Sequence, residues 1–120
     1  MLSLPPSVRL FVGRERVDMR KAIDGLAEVV RDVLKEDPMS GHLFIFFNKR
    51  SNRVKILWWD RSGFFLLMKR LESGRFVLPE LKPNGDAKTL RMNASDLALV
   101  LDGIDLRGAR RLKRYSRDAT

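Results

Sequence analysis

The chain has 120 residues, a net charge of +9 at pH 7 and no cysteine. This length is typical of one domain with its own buried core. The lack of cysteine excludes disulfides and thiolate catalysis and favours a cytoplasmic location. No apolar run approaches the ~18 residues that a membrane span needs, so we expect no membrane partner.

The amino-terminal third predicts a strand and a long helix. Apolar residues alternate over residues 8–12, which favours a short strand. From residue 18 to about residue 36, apolar side chains recur every three or four positions and form one amphipathic stripe. Asp18 is a suitable N-cap, and Pro38 disfavours helix beyond the preceding residue. We expect this helix to cover one face of a sheet.

Two cations fall in the predicted first turn of that helix. Arg20 and Lys21 lie where the helix dipole disfavours positive charge. In one interpretation Asp18 offsets them and both side chains point into solvent. In the other, they join the exposed N–H groups of the helix terminus and form a seat for a phosphate.

The central part of the chain predicts an antiparallel β-meander. Its strand segments are rich in Phe, Ile, Val, Leu and Trp, which favour extended structure. The predicted strands are residues 42–47, 53–60 and 64–71, with residues 75–78 as a possible fourth. Between the second and third strands, Asp60 and Gly63 occupy the first and fourth positions of a predicted type I turn.

Both faces of this meander are apolar. Leu43, Ile45 and Phe47 alternate with Phe44 and Phe46, so neither face suits water along its whole length. We therefore expect helices, extensions of the sheet or a partner subunit to cover both faces. A homodimer is one way to provide that cover.

The last third predicts a loop, a strand, a helix and a tail. Residues 79–86 read as a loop and residues 89–92 as a further strand. Asn93 is a predicted N-cap, and Gly103 ends the helix that follows. The predicted fold is therefore α+β: a meander of three to five strands, one long amphipathic helix and one short helix. We assign residues 1–106 to a single domain and residues 107–120 to a basic tail.

The excess positive charge lies in the meander and the tail, which favours a polyanionic partner such as DNA. Tyr115, among basic residues of the tail, is placed to stack on a base. The predicted nucleic-acid-binding residues are Arg20, Lys21, Lys49, Arg50, Arg53, Arg61, Arg110, Arg111, Lys113, Arg114 and Tyr115.

Few residues offer catalytic or metal chemistry. The chain has one histidine, His42, and no cysteine, which argues against a structural zinc site. Asp60 ends a strand, as metal-binding carboxylates of nucleases do, but its turn also favours Asp. We expect no catalytic residues, no metal and no cofactor.

Several motifs together resemble one known family. They are DMRK at 18–21, IDGL at 23–26, GHLFIFF at 41–47, KILWWD at 55–60, GF at 63–64 and KRLESGRF at 69–76. The chain resembles, from residue 8 to residue 115, the Orf2-like accessory proteins (TnpB) of the sixty-six family of bacterial insertion sequences. These are unrelated to the RNA-guided nuclease of the same name. Leu78, where the family pattern has an aromatic residue, is a departure that concerns packing.

The resemblance implies a protein encoded beside a separate DDE-type transposase and needed for efficient transposition, without a known catalytic activity. With the basic surface, it favours a small module that binds DNA, such as the ends of the element, or the transposase, or both. The main alternative is a protein–protein adaptor for an acidic segment of the transposase that does not bind DNA directly. A metal-dependent nuclease is a more distant alternative.

Overall fold

Nine elements make up the part of the chain that the computed structural model describes, residues 5–78, 88–105 and 110–111. Only the backbone is described at residues 105, 110 and 111. The elements are β1 (Leu10–Gly13), α1 (Ile23–Asp32), β2 (Leu43–Phe47), β3 (Arg53–Asp60), β4 (Gly63–Arg70), β5 (Thr89–Met92), α2 (Ala94–Leu101), β6 (Ile104–Asp105) and β7 (Arg110–Arg111).

The first five strands form a mixed sheet in the order β4-β3-β2-β1-β5. The meander β2-β3-β4 is antiparallel, and β5 runs antiparallel to β1. Strand β1, however, runs parallel to β2, with Leu10 opposite Leu43. The prediction of a purely antiparallel sheet is therefore wrong at β1. The reason is the crossover through α1, which lets two consecutive strands run in the same direction.

A hydrophobic core lies on each face of the sheet, as predicted. All five residues of β2 are buried. Leu43, Ile45 and Phe47 pack with α2 on one face, while Phe44 and Phe46 pack with α1 on the other. The two helices thus cover the centre of the sheet from opposite sides, which we call the α1 face and the α2 face.

Helix α1 is shorter than predicted at both ends. The Asp18 carboxylate accepts the backbone N–H of Arg20 in a turn that precedes the helix, and Ala22 occupies the N-cap position without a side-chain cap. The last helical residue is Asp32, well before Pro38. The predicted N-cap role of Asp18 is therefore wrong, and the two cations after it lie outside the first turn.

The second half follows the local signals more closely. Asn93 Oδ1 accepts the Asp96 N–H at 2.7 Å and caps α2, and Gly103 has a positive φ of 80° after the helix. Residues 75–78 form no strand; instead Phe76 is buried and its N–H donates to the Ser51 carbonyl at 2.6 Å. The predicted fourth meander strand is therefore wrong.

The β3–β4 turn is also different from the predicted type I turn. Asp60 and Gly63 pair directly, so the loop has two residues, and Arg61 has a φ of 52°. A type I turn requires a negative φ at that position, whereas two-residue hairpin loops favour positive values. Among the described residues, no helix is long and apolar enough to cross a membrane.

Candidate nucleic-acid interface

A buried lysine fixes the chain segment that leads into α1. Lys55, in the middle of β3 on the α1 face, is only 8% exposed. Its ammonium donates to the carbonyl oxygens of Met19 at 2.8 Å and Lys21 at 2.7 Å. In a helix that began at residue 18, these carbonyls would accept N–H groups four residues later. Lys55 takes their place, and so the segment is held as a turn above β3.

The turn above β3 contains an ion pair. The Arg20 guanidinium donates to both carboxylate oxygens of Asp18, at 2.7 Å from Nη2 to Oδ2. These hydrogen bonds lower the pKa of Asp18 to about 2 and raise the pKa of Arg20. Asp18 therefore forms an ion pair with Arg20, whereas the first interpretation had Asp18 offset both cations. Lys21 is exposed and has no carboxylate partner within the described residues.

The β2–β3 turn presents two exposed cations on a hydrogen-bonded frame. Asn48 Oδ1 accepts the N–H groups of Asn52 at 3.0 Å and Arg53 at 2.9 Å. Lys49 and Arg50 lie at the tip of this turn and are exposed. Because Asn48 closes the turn from inside, the two side chains project from a fixed backbone.

Two arginines face each other across neighbouring strands. Arg53 begins β3 and pairs directly with Arg70, which ends β4. Like charges in opposite positions destabilise a sheet by some tenths of a kcal/mol. Glu72 relieves part of this repulsion through an ion pair with Arg70 at 2.8 Å, while Arg53 has no carboxylate partner within the described residues.

These elements meet at one end of the sheet. The Val17 N–H donates to the carbonyl of Phe47, the last residue of β2, so the segment after β1 crosses this end. The Arg16 guanidinium lies 5.8 Å from the centre of the Phe47 ring. We call this surface the basic end; its cations are Arg16, Arg20, Lys21, Lys49, Arg50, Arg53, Arg70 and Arg75.

The basic end holds more cations than carboxylates. Asp18 and Glu72 each neutralise one arginine of this surface. The other six cations have no salt-bridge partner among the described residues. In an unbound protein, mutual repulsion among them costs stability, and such breaks of local rules tend to mark functional sites.

The structure separates Arg61 from the predicted residues of the basic end. Arg61 lies in the β3–β4 turn, at the opposite end of β3 from Arg53. The strand has eight residues, so this turn is about 25 Å away along the strand. Arg61 therefore does not belong to the basic end.

The predicted tail residues are only partly described. The backbone of Arg110 and Arg111 forms β7, paired with β6. Strand β6 begins three residues after Leu101, whose carbonyl accepts the Lys69 ammonium at 2.6 Å. Lys113, Arg114 and Tyr115 lie outside the described residues, as does the predicted loop at 79–86.

Sequence reasoning missed several residues of this surface. Arg16, Arg70 and Arg75 were not among the predicted binding residues, although each lies next to a predicted turn or strand end. Lys55 was missed because strand patterning assigns no special role to one lysine among apolar neighbours. A charged residue inside a strand with two apolar faces is the signal that would have found it.

The described residues offer little to a metal ion. No group of three His, Asp or Glu side chains is placed to hold one in the described ranges. His42 lies one residue before β2 and its Nδ1 accepts the Arg9 N–H at 3.0 Å, so it has a structural partner. Asp60 is exposed and closes the β3–β4 turn with Gly63.

Comparison with known proteins gives a consistent family assignment. The family model described as IS66 Orf2 like protein matches residues 8–111. Two proteins of Sinorhizobium fredii (strain NBRC 101917 / NGR234) are similar, and both carry the description uncharacterized protein. One, y4jC, is 34% identical over 105 residues, covering 88% of this chain and 86% of the relative. The other, y4hO, is 35% identical over 107 residues, covering 89% and 90%. No solved structure shows a significant match.

Proposed function

Because the chain belongs to the IS66 Orf2 like family, we propose that it is a non-catalytic accessory protein of insertion-sequence transposition that binds DNA through its basic end. The family accounts for the link to insertion sequences. The observation that supports DNA binding is the set of six cations without carboxylate partners in the described residues at one end of the sheet. Phosphates of a duplex would supply the missing negative charge.

The local geometry supports contacts to phosphates more than readout of bases. Lys49 and Arg50 stand at the tip of a short turn, and Lys21 lies on a turn beside the start of α1. The cations of the basic end lie on turns and at strand ends, whereas readout of bases in the major groove uses side chains along a helix or a two-stranded ribbon. Such contacts position a protein on DNA without selecting a sequence. We therefore expect the ends of the element to be recognised jointly with the separate DDE-type transposase.

Salt dependence tests the proposal. Six phosphate contacts predict a slope of about −5 for the logarithm of the association constant against the logarithm of salt concentration. The measurement is fluorescence anisotropy with labelled duplex from an element end and a scrambled duplex of equal length. We expect both duplexes to give a slope at least this steep in the absence of the transposase, because contacts from the tail add to those of the basic end.

A matched pair of variants locates the surface. The triple variant Lys49→Gln, Arg50→Gln and Arg53→Gln removes three cations from the basic end and should flatten the slope by about 3. The control triple Lys35→Gln, Arg61→Gln and Arg91→Gln removes the same charge from exposed positions elsewhere. It should leave the slope within about 1 of the unmodified protein. If the two triples weaken binding equally, DNA binding reflects net charge and the basic end is not its site.

The predicted tail is tested separately. Truncation after Leu106 removes the cations at Arg110, Arg111, Lys113 and Arg114 and the predicted stacking residue Tyr115. We expect weaker binding to every duplex and a flatter salt slope. Unchanged affinity and slope would show that the tail is not a DNA-binding arm.

The adaptor alternative predicts a different pattern. An acidic segment of the transposase could satisfy the same cations, in which case DNA binding at physiological salt is weak. Binding of purified transposase would then be lost in the basic-end triple and retained in the control triple. That result, without DNA binding by the protein alone, would replace the DNA proposal with the adaptor.

A further inference from the structure

One edge of the sheet has an apolar strand without a neighbour in the described structure. Strand β4 pairs with β3 on one side and ends the sheet on the other. Phe65 is 50% exposed, Leu67 is 54% exposed and Met68 is 58% exposed. Exposed edge strands usually carry charges, proline or a bulge that prevents pairing with another chain. From residue 64 to residue 68, FFLLM, this strand has none of the three.

The backbone N–H and C=O groups of β4 that point away from β3 follow from the register of the hairpin. Asp60 and Gly63 close a two-residue loop and form the last hydrogen-bonded pair of the hairpin. Hydrogen bonding to β3 then recurs at every second residue, and the Leu71 N–H indeed donates toward β3, to the Asn52 carbonyl at 2.8 Å. The N–H and C=O groups that point away from β3 therefore belong to Phe64, Leu66 and Met68.

From this edge we infer that β4 pairs antiparallel with β4 of a second copy of the chain, in a symmetric register centred on Leu66. A two-fold axis perpendicular to the sheet places side chains of the same face opposite each other. Because side chains alternate between the faces along a strand, two opposite residues must both have even numbers or both have odd numbers. In the register centred on Leu66, Phe65 lies opposite the second copy's Leu67, and Phe64 lies opposite its Met68. Every side chain from residue 64 to residue 68 thus meets an apolar one.

Charge selects this register over the next one. Centring the pair on Leu66 places Lys69 opposite the second copy's Gly63, which leaves room for the lysine chain. Centring it on Leu67 would place Lys69 opposite Phe65 and Arg70 opposite Phe64. In the first register, Arg61 lies opposite the second copy's Leu71 and Glu72 lies opposite its Asp60, so these residues beyond the apolar pairs add no attraction between opposite charges. The positions of Lys69 and Arg70 therefore favour the register centred on Leu66.

The pairing has a consequence for the basic end. The two-fold axis sends the basic ends of the two copies in opposite directions along the strands, about 26 Å apart at Arg70. If the basic end binds DNA, as proposed above, the dimer has two separate DNA-binding surfaces. The pairing itself does not depend on DNA, so it is tested without DNA.

Sedimentation equilibrium of the full chain at micromolar concentrations measures the association. We expect a dimer, and Leu67→Lys should raise its dissociation constant at least about a hundredfold, because symmetry places two buried charges in one interface. The control Met39→Lys changes a side chain of similar exposure, 55%, away from this edge and should leave the dimer intact. A monomeric unmodified chain would overturn the inference, and so would a dimer that Leu67→Lys does not weaken.

Cysteine cross-linking tests the register, since the natural chain has no cysteine. Residues 65 and 67 of the two copies are directly opposite, at a Cα separation of about 4.5 Å. Two copies of residue 67 are diagonal neighbours at about 8 Å, beyond disulfide reach. Phe65→Cys mixed with Leu67→Cys should therefore cross-link at least tenfold faster than either variant alone, by a rough estimate from these separations. Faster cross-linking of Leu67→Cys alone would overturn the Leu66 register in favour of the alternative centred on Leu67.

Discussion

Replacing the buried lysine tests how the basic end is assembled. In the variant Lys55→Met, the side chain keeps nearly the same length but loses its two hydrogen bonds, 2.8 Å to the Met19 carbonyl and 2.7 Å to the Lys21 carbonyl. The segment above β3 then has no anchor at these carbonyls. We expect lower stability and a looser turn.

The expected magnitude follows from three contributions. Hydrogen bonds to a charged group contribute about 1.5–3 kcal/mol each, so the gross loss is about 3–6 kcal/mol. Removing a buried ammonium also removes its desolvation cost, which is several kcal/mol. The freed carbonyls regain water, since Lys21 is exposed. The net decrease in the free energy of unfolding should be about 2 kcal/mol, or roughly 8 °C in Tm.

The assay is urea unfolding followed by the fluorescence of Trp58 and Trp59 in β3. Lys69→Met is the control, because Lys69 is an exposed lysine with one hydrogen bond, 2.6 Å to the Leu101 carbonyl. It should change stability by less than about 1 kcal/mol. Amide exchange at Arg20 and Lys21 should accelerate in Lys55→Met only. A Lys55→Met protein within about 0.5 kcal/mol of the natural one would refute this account of the anchor.

Two further predictions concern single side chains near helix starts. The hydrogen bond from the Arg20 side chain is the main cause that lowers the pKa of Asp18 to about 2. The stabilisation that the ionised Asp18 carboxylate gives the folded state is therefore complete above the ordinary pKa of 3.8 and is lost as the pH falls through 2. Asp18→Asn should therefore be less stable than the natural protein at neutral pH, and the difference should shrink below pH 3.8 and vanish only below pH 2, measured by thermal unfolding across that range. Asn93→Ala removes the cap of α2 and should cost about 1 kcal/mol in urea unfolding, and an unchanged midpoint would show that the 2.7 Å bond to Asp96 contributes nothing.

Local features of the fold were predictable because neighbouring residues determine them. The limits of β3, residues 53–60, follow from a run of strand-forming residues between two turns. The alternation of β2 follows from the pleat, and it predicted which side chains enter each core. The Asn93 side chain caps α2 by accepting the N–H of Asp96, three positions further along the chain. None of these features needs information from a distant part of the chain.

The errors share a different cause. The direction of β1 depends on how α1 crosses the sheet, and a strand of four residues carries no signal for parallel pairing. The start of α1 depends on Lys55, which is 36 residues away from Met19. Asp18 looked like a cap because the local pattern of a cap was present. The long-range hydrogen bond from Lys55 to the Met19 carbonyl instead holds this segment in a turn before the helix.

The same long-range contacts explain why the candidate surface was predicted only in part. The sequence supplied two groups of cations, one before α1 and one in the β2–β3 turn, with no indication that they are neighbours. Parallel pairing of β1 with β2 brings the ends of both strands to the same edge. The Val17–Phe47 hydrogen bond and the Lys55 anchor then draw the segment before α1 across that edge. Arg61 has the same chemistry but lies at the other end of β3, because charge alone does not determine position. A change in sheet topology would separate the cations without altering one of them, so the fold is what makes the basic end a single surface.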